Sequence, residues 1–141
     1  MRAVISRVTR AEVCVDNVTS AQIDGPGLLV LLGVSHSDSH SDAAALANKV
    51  WQLRIMRGEE SAAGLDAPLL VISQFTLYGD TRKGRRPSWS SAAPATVAEP
   101  LYEAFCSALT DLGATVGRGI FGADMAVSST NDGPVTVIVD T

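Results

Sequence analysis

Gly27-Leu28-Leu29-Val30-Leu31-Leu32-Gly33-Val34 carries no polar side chain at any position. A strand with one face in water alternates apolar and polar residues, whereas a strand covered on both faces does not. The run is therefore read as the central strand of a sheet. Upstream, residues 2 to 9 alternate, with Ala3, Ile5 and Arg7 on one face and Val4, Ser6 and Val8 on the other. A second strand is expected from Ala11 to Asp16 and a turn at Asp16-Asn17. A return strand runs from Thr19 to Ile23, and Gly25-Pro26-Gly27 separates it from the central run.

Downstream, Ser35 to Ser41 reads as a polar loop, and Ser41 or Asp42 suits the N-cap of a helix from about Ala43 to Met56. Ala43, Leu46, Ala47, Val50 and Leu53 form its apolar stripe. Arg57 to Pro68, rich in Gly, Ala and acids, reads as a flexible connection. Leu69 to Phe75 is a further buried strand that delivers Ser73-Gln74-Phe75-Thr76 at its C-terminal end. A second helix is expected from about Pro94 to Leu112, with Leu101, Phe105, Leu109 and Leu112 on one face and Gly113 as its stop. Pro100 removes one hydrogen bond from it and kinks or restarts it. Ala114 to Val116, Met125 to Ser129 and Val135 to Asp140 complete the strands. Strands outnumber helices by about seven to two without βαβ alternation, which implies an α+β fold. The expectation is one domain over residues 1–141, a largely antiparallel, barrel-like sheet backed by two helices.

The 141 residues are 46% apolar and 18% charged, as in ordinary globular proteins. No apolar run approaches the ~20 residues of a membrane span. Charges within Met1 to Arg7 interrupt what would be the apolar core of a secretory signal, so a cytoplasmic protein with no membrane partner is expected. Cys14 and Cys106 lie far apart, form no metal-type pair, and read as small buried hydrophobes. The net charge of −4 argues against a surface coated by nucleic acid, yet Arg82, Lys83, Arg85 and Arg86 cluster in one short loop. That loop suits a solvated face and phosphate binding about equally.

Gly117-Arg118-Gly119-Ile120-Phe121-Gly122 matches a dinucleotide fingerprint but precedes a strand-like segment, so that reading is rejected. His36 and His40, interleaved with Asp38 and Asp42, have nominal metal spacing in a Ser-rich loop, and no metal is expected. There is no Gly-x-Ser-x-Gly elbow and no third His for a conventional triad. Thr76 suits a weak nucleophile, a hydrogen-bond donor or a strand-end hydroxyl, and no adjacent base is evident. Gly133-Pro134 opens a near-continuous apolar strand, where a missing N–H is costly. It reads either as a tight turn after Asn131-Asp132 or as a rigid device, with a cis peptide bond, that aims carbonyls at a ligand.

Ser73-Gln74-Phe75-Thr76-Leu77, Asp80-Thr81-Arg82-Lys83-Gly84-Arg85-Arg86-Pro87-Ser88, Phe121-Gly122-Ala123-Asp124-Met125 and Asn131-Asp132-Gly133-Pro134-Val135-Thr136 together resemble the D-aminoacyl-tRNA deacylases. Ser6 to Ala11 and Gly27 to Val34 match as well, so the resemblance runs nearly end to end. It implies a cytoplasmic homodimer that hydrolyses the ester between a D-amino acid and the 3′-terminal adenosine of tRNA, with neither metal nor cofactor. By the same resemblance Gln74, Phe75 and Thr76 form the catalytic segment and Ser73 lines their pocket. Phe121 and Met125 lie near the adenosine, and Arg7 braces the Gly-Pro loop. Gly133-Pro134, cis, reaches into the neighbouring subunit's pocket, where its carbonyls hold the substrate amino group and exclude an L side chain. Glycine has no side chain to exclude, so glycyl-tRNA is an expected second substrate.

One departure stands out. Arg57 to Pro68 is shorter than the usual family segment and lacks its Lys-Met-Asn element. Two other classes remain as alternatives: a deacylase for L-amino acids if Gly133-Pro134 is trans, and a non-catalytic RNA-binding module built on the basic loop.

Overall fold

A computed structural model describes residues 1–141. Its sheet has five strands in the order β4-β3-β2-β1-β5: β1 (Arg2–Val15), β2 (Val18–Gly33), β3 (Leu69–Ser73), β4 (Val116–Arg118) and β5 (Ala126–Asp140). The long ladders, β1 with β2 and β1 with β5, are antiparallel, whereas β3 joins β2 and β4 joins β3 in parallel. Helices α1 (His40–Gln52) and α3 (Ala95–Asp111) pack on one face, and α2 (Ala62–Leu65) is a single turn between them in sequence.

The segments expected as separate strands are continuous. Residues 2 to 15 form one strand, and Gly25-Pro26-Gly27 lies inside β2 rather than breaking it. Between the pairs Val8↔Gly27 and Arg10↔Asp24, β2 carries one extra residue, and Gly25 takes φ +113 there. Such a bulge bends the strand and leaves its unpaired residue outside the ladder, which is where Pro26 is tolerated. The hairpin turn at Asp16-Asn17 has positive φ at both residues, matching the right-handed strand twist.

The central run is buried on both faces. Leu28, Val30 and Leu32 pack toward the helices with Ala3, Ile5, Leu69 and Val71. Leu29 belongs to a second cluster with Val8, Ala11, Val13, Ile23, Leu70 and Ile72 on the opposite face. Val8 and Ala11 follow Ile5 along β1 yet sit in the second cluster, so the bulged far half of the β1–β2 hairpin covers the face the helices leave bare.

The helix ends differ from expectation for local reasons. Ser39, not Ser41 or Asp42, caps α1, because Asp42 occupies the third position and closes a reciprocal capping box with Ser39. The helix stops at Gln52, and Leu53 is extended. Pro100 sits inside α3 on its exposed side, and Thr96, whose carbonyl it leaves without an N–H, is exposed too. Leu112, expected on the buried face, is exposed at the C-cap. Cys106 is buried, but Cys14 is only half-buried, near the hairpin end with its thiol beside Glu12 and Thr19.

Arg57 to Pro68 is not a flexible connection. It turns tightly at Gly58 and Glu59, both with positive φ, and then forms α2; Ala62 and Ala67 are buried, and the Met56 N–H donates to the Glu60 carbonyl at 2.9 Å. At its end Pro68 accepts the Leu28 N–H at 3.0 Å, and that carbonyl lies 2.7 Å from where a Cβ on Gly27 would stand. Neither backbone can retreat without losing the ladder. Gly27→Ala is therefore expected to cost about 1–3 kcal/mol, read as a lower urea midpoint with an unchanged slope.

Candidate active site

Where β3 ends, the Gln74 N–H still reaches the Leu32 carbonyl at 2.8 Å, and the chain then tightens into a 3₁₀ turn over Phe75–Tyr78. The expected strand thus stops at Ser73. The turn lies so close to β2 that a Cβ on Gly33 would come within 3.1–3.2 Å of Tyr78, Gln74 and Leu77, tight contacts that a side chain there would have to displace. The first amides of such a turn have no partner within it. The Leu77 N–H donates to the Gln74 carbonyl and the Gly79 N–H to that of Thr76, but the Phe75 and Thr76 N–H groups donate to nothing in the chain.

Of these two residues Phe75, but not Thr76, lines a cavity of about 420 Å³ whose walls are mainly apolar side chains. Ser73, Gln74 and Phe75 form one wall, and Phe121, Ala123, Asp124 and Met125 form another. Behind them, the buried Tyr102 hydroxyl donates to the Val71 carbonyl at 2.9 Å. Burial pushes the Tyr102 phenol far above its ordinary pKa, so it stays protonated and keeps β3 fixed against α3. The Phe121 ring lies 6.0 Å from that of Tyr102, and Met125 packs its sulfur where a Cβ on Gly119 would come within 2.7 Å. Gly117 to Gly122 runs from β4 into a turn, and no helix follows.

Thr76 is exposed at the rim, and its hydroxyl accepts from the Gln74 side-chain amide. An amide cannot take a proton, so the hydroxyl has no base beside it. His36 and His40 lie elsewhere: the first faces the Ser90 carbonyl at 3.1 Å, and the second opens α1.

Arg7, Gly133 and Pro134 are gathered at a different place. Ser6 pairs with Thr136 and Val8 with Asn131, so Asp132 to Val135 bulge out of β5 opposite Arg7. The Arg7 side chain donates to the Asp132 carbonyl at 3.1 Å and to the Ile55 carbonyl at 3.0 Å. Asn131 closes the base of the bulge, its amide donating to the carbonyls of Arg7 and Val135 at 2.9 and 3.0 Å. A Cβ on Gly133 would lie 2.3 Å from an Arg7 nitrogen. The Gly133-Pro134 bond, expected cis, is trans, as is every peptide bond in the chain. The bend is made one bond earlier, at Gly133 with φ +102, a conformation that glycine adopts without penalty. Gly133 and Pro134 do not line the cavity of their own chain; Arg7 and Val135 instead border a shallower cleft with Arg54 to Glu59.

The whole length of this arrangement has counterparts. The family model for D-Tyr-tRNA(Tyr) deacylase matches residues 4–140. The chain belongs to that family. A protein of Acidothermus cellulolyticus named D-aminoacyl-tRNA deacylase is 61% identical over 140 residues, 99% of each chain. A Streptomyces coelicolor protein of the same name is 60% identical over the same share. Among solved structures, the c-Myc DNA unwinding element binding protein superposes with a TM-score of 0.92 at 35% identity, covering 100% of this chain and 99% of its own. A probable eukaryotic D-amino acid tRNA deacylase shares the fold, with a TM-score of 0.87 at 16% identity over 99% and 98% of the two chains. Membership in the deacylase family makes the chain an enzyme, a hydrolase.

In this deacylase the basic loop is tied at its neck, where Asp80 and Ser88 exchange backbone hydrogen bonds at 2.8 and 2.9 Å. Arg82 folds back onto Asp80 at 2.9 and 2.7 Å, and its hydrogen bonds pull that carboxyl down to about 2. Lys83, Arg85 and Arg86 are exposed and have no carboxylate within ion-pair distance. The sequence concealed Tyr102 within the apolar stripe of α3. It also concealed Arg57, which lies in the segment read as flexible yet grips the Asp132 carboxylate through two nitrogens, the longer contact 3.0 Å. The only local signal for this pair is an acid placed immediately before Gly-Pro.

Hydrogen bonds from Arg57, then its charge and after it that of Arg7, outweigh the effect of desolvation and hold the Asp132 carboxyl below its ordinary 3.8. A carboxyl depressed on folding contributes stability that is complete above its unfolded value and is lost as pH falls through the folded value. The difference in denaturant midpoint between the wild type and Asp132→Asn is expected to be positive at pH 6 and to shrink steadily below pH 3.8. A difference that persists undiminished at pH 2 contradicts the ionic origin of the brace.

Proposed function

We propose that this chain hydrolyses the ester between a D-amino acid and the 3′-terminal adenosine of tRNA in the cytoplasm, releasing the free amino acid and tRNA, and that it also clears glycyl-tRNA. The observation that carries the reading is the pair of unpartnered N–H groups, Phe75 and Thr76, in the turn that leaves the wall of an apolar cavity at Phe75. Full-length relatives about three-fifths identical and named D-aminoacyl-tRNA deacylase supply the substrate class. An aminoacyl ester is already activated, and attack on its carbonyl places negative charge on one oxygen. Backbone donors aimed at that oxygen are each worth ~3 kcal/mol. The substrate's ribose 2′-OH takes a proton from the attacking water and passes one to the departing 3′ oxygen, so no side-chain base is required. Ser73 and Gln74 line the acyl end of the cavity, and Phe121 and Met125 hold the adenosine.

The active form in this proposal is a homodimer. Two observations support it: β5 is an unpaired edge strand whose Ile138 is 65% exposed, and the Gly133-Pro134 bulge stands apart from its own cavity. In the dimer the bulge, stiffened by Arg7, enters the partner's cavity. Its carbonyls accept from the substrate ammonium and leave no room for an L side chain. Glycine passes the same filter. The exposed cations of the basic loop neutralise tRNA phosphates without reading sequence.

The trans bond at Gly133-Pro134 favours one second reading, a pocket that accepts L-aminoacyl esters. Deacylation of matched D-Tyr-tRNA and L-Tyr-tRNA, with and without chelator, separates the two. Rapid, chelator-resistant loss of the D ester alone, with slower clearance of glycyl-tRNA, is the expected outcome. Loss of both esters establishes the open pocket, and loss of neither leaves an RNA-binding module. Thr76→Ala keeps its backbone N–H, so its single-turnover rate is expected to stay within a few-fold of wild type. A loss of about three decades would restore the hydroxyl as nucleophile.

A further inference from the structure

Two aromatic side chains remain in solvent at the rim of the cavity, Phe75 at 56% exposure and Trp89 at 44%. Their rings meet edge to face, with centroids 5.4 Å apart and planes at 74°. Trp89 is held where it is. It leaves the basic loop directly after Ser88, whose two backbone hydrogen bonds to Asp80 fix the neck, and its carbonyl accepts the Ala92 N–H at 3.0 Å. Its indole lies so close to Gly79 that a Cβ there would come 2.6 Å from the ring. The mechanism of ester hydrolysis uses neither ring face. Large apolar surface held rigidly in water calls for a ligand, and the neighbouring charges indicate its chemistry. Lys83, Arg85 and Arg86, exposed and without carboxylate partners, stand on the loop that Trp89 terminates.

Aromatic faces beside free cations match a single-stranded polynucleotide, which offers base faces and phosphates at a regular spacing. We propose that Trp89 and Phe75 form a stacking ledge for the unpaired nucleotides immediately 5′ of the terminal adenosine. The inference rests on the deacylase reading, because that reading places the adenosine in the adjoining cavity. The ledge continues the cavity outward: Phe75 lines it, and Trp89 lies one ring farther toward the basic loop. Stacking tolerates any base, so the ledge adds affinity for a free 3′ end without adding tRNA identity.

The test compares two substrates, D-Tyr-tRNA and the D-tyrosyl ester of adenosine alone, which lacks the nucleotides assigned to the ledge. For Trp89→Leu, which keeps apolar bulk against Gly79, the ratio of kcat/KM between tRNA and adenosine ester is expected to fall about tenfold, through KM. Trp89→Phe, which restores a ring, recovers most of that ratio. As a reading independent of turnover, a CCA trinucleotide is expected to quench the tryptophan emission of wild type and not that of Trp89→Phe, whose remaining tryptophan, Trp51, is buried. An unchanged ratio in Trp89→Leu, or equal quenching in wild type and Trp89→Phe, overturns the ledge. If wild type cleaves neither ester, the deacylase reading fails instead, and the trinucleotide titration still judges the ledge on its own.

Discussion

Burial of Leu28–Leu32 on both faces is the constraint on which the other elements depend. Helices α1 and α3 cover only one side of this sheet. The second side is covered by the same hairpin that builds the first, since bulged β2 carries Ile23 back over Leu29 while β1 brings Val8, Ala11 and Val13. With both faces dry, the strand that pairs beside β2 must also be apolar throughout, and β3 supplies Leu69-Leu70-Val71-Ile72 in parallel register. The point where β3 runs out of partner is then fixed by β2, because the Leu32 carbonyl takes the Gln74 N–H as the last bond before the turn. The mouth of the cavity is placed by the core.

A second dependence runs through Arg7. It sits on β1 between Ser6 and Val8, with 11% of its side chain accessible, and spans the Asp132 and Ile55 carbonyls. The bulge of β5 therefore has its shape determined by a residue of the neighbouring strand and by the segment after α1. Arg57 adds a grip from outside on the Asp132 carboxylate, which the Arg7 guanidinium also approaches at 3.1 Å. The segment read from the sequence as a flexible connection thus contributes a strut to the Gly-Pro bulge.

Much of the fold was legible in the sequence because it follows from patterning. The double-faced run and the Asp16-Asn17 turn are local signals that lie where they were expected, and so do the stripes of both long helices except at their last members, Leu53 and Leu112, which fall at the C-caps. What was misread depends on contacts between distant residues. Gly25-Pro26-Gly27 looks like a boundary until β1 supplies a ladder that accommodates an extra residue. Arg57 to Pro68 looks flexible until Pro68 proves to accept from Leu28. At the candidate site, Ser73, Gln74, Phe75, Phe121 and Met125 are brought to one cavity, while Arg7, Gly133 and Pro134 are gathered elsewhere in the chain. Tyr102 was hidden among the buried residues of α3, and Trp89 and Asp132 carried no periodic signal, since the importance of all three comes from single hydrogen bonds, ion pairs or ring contacts.

The open N–H groups of Phe75 and Thr76 have an evolutionary consequence. A main-chain amide is present in every residue type except proline, so substitution of the side chains at these positions leaves the donors in place. Loss of function by drift must then come through the shape of the turn, at positions such as Gly33 that allow it to pack against β2. Selection on such a site reads as selection for small residues and tight contacts, with no reactive side chain to mark the place where the chemistry happens.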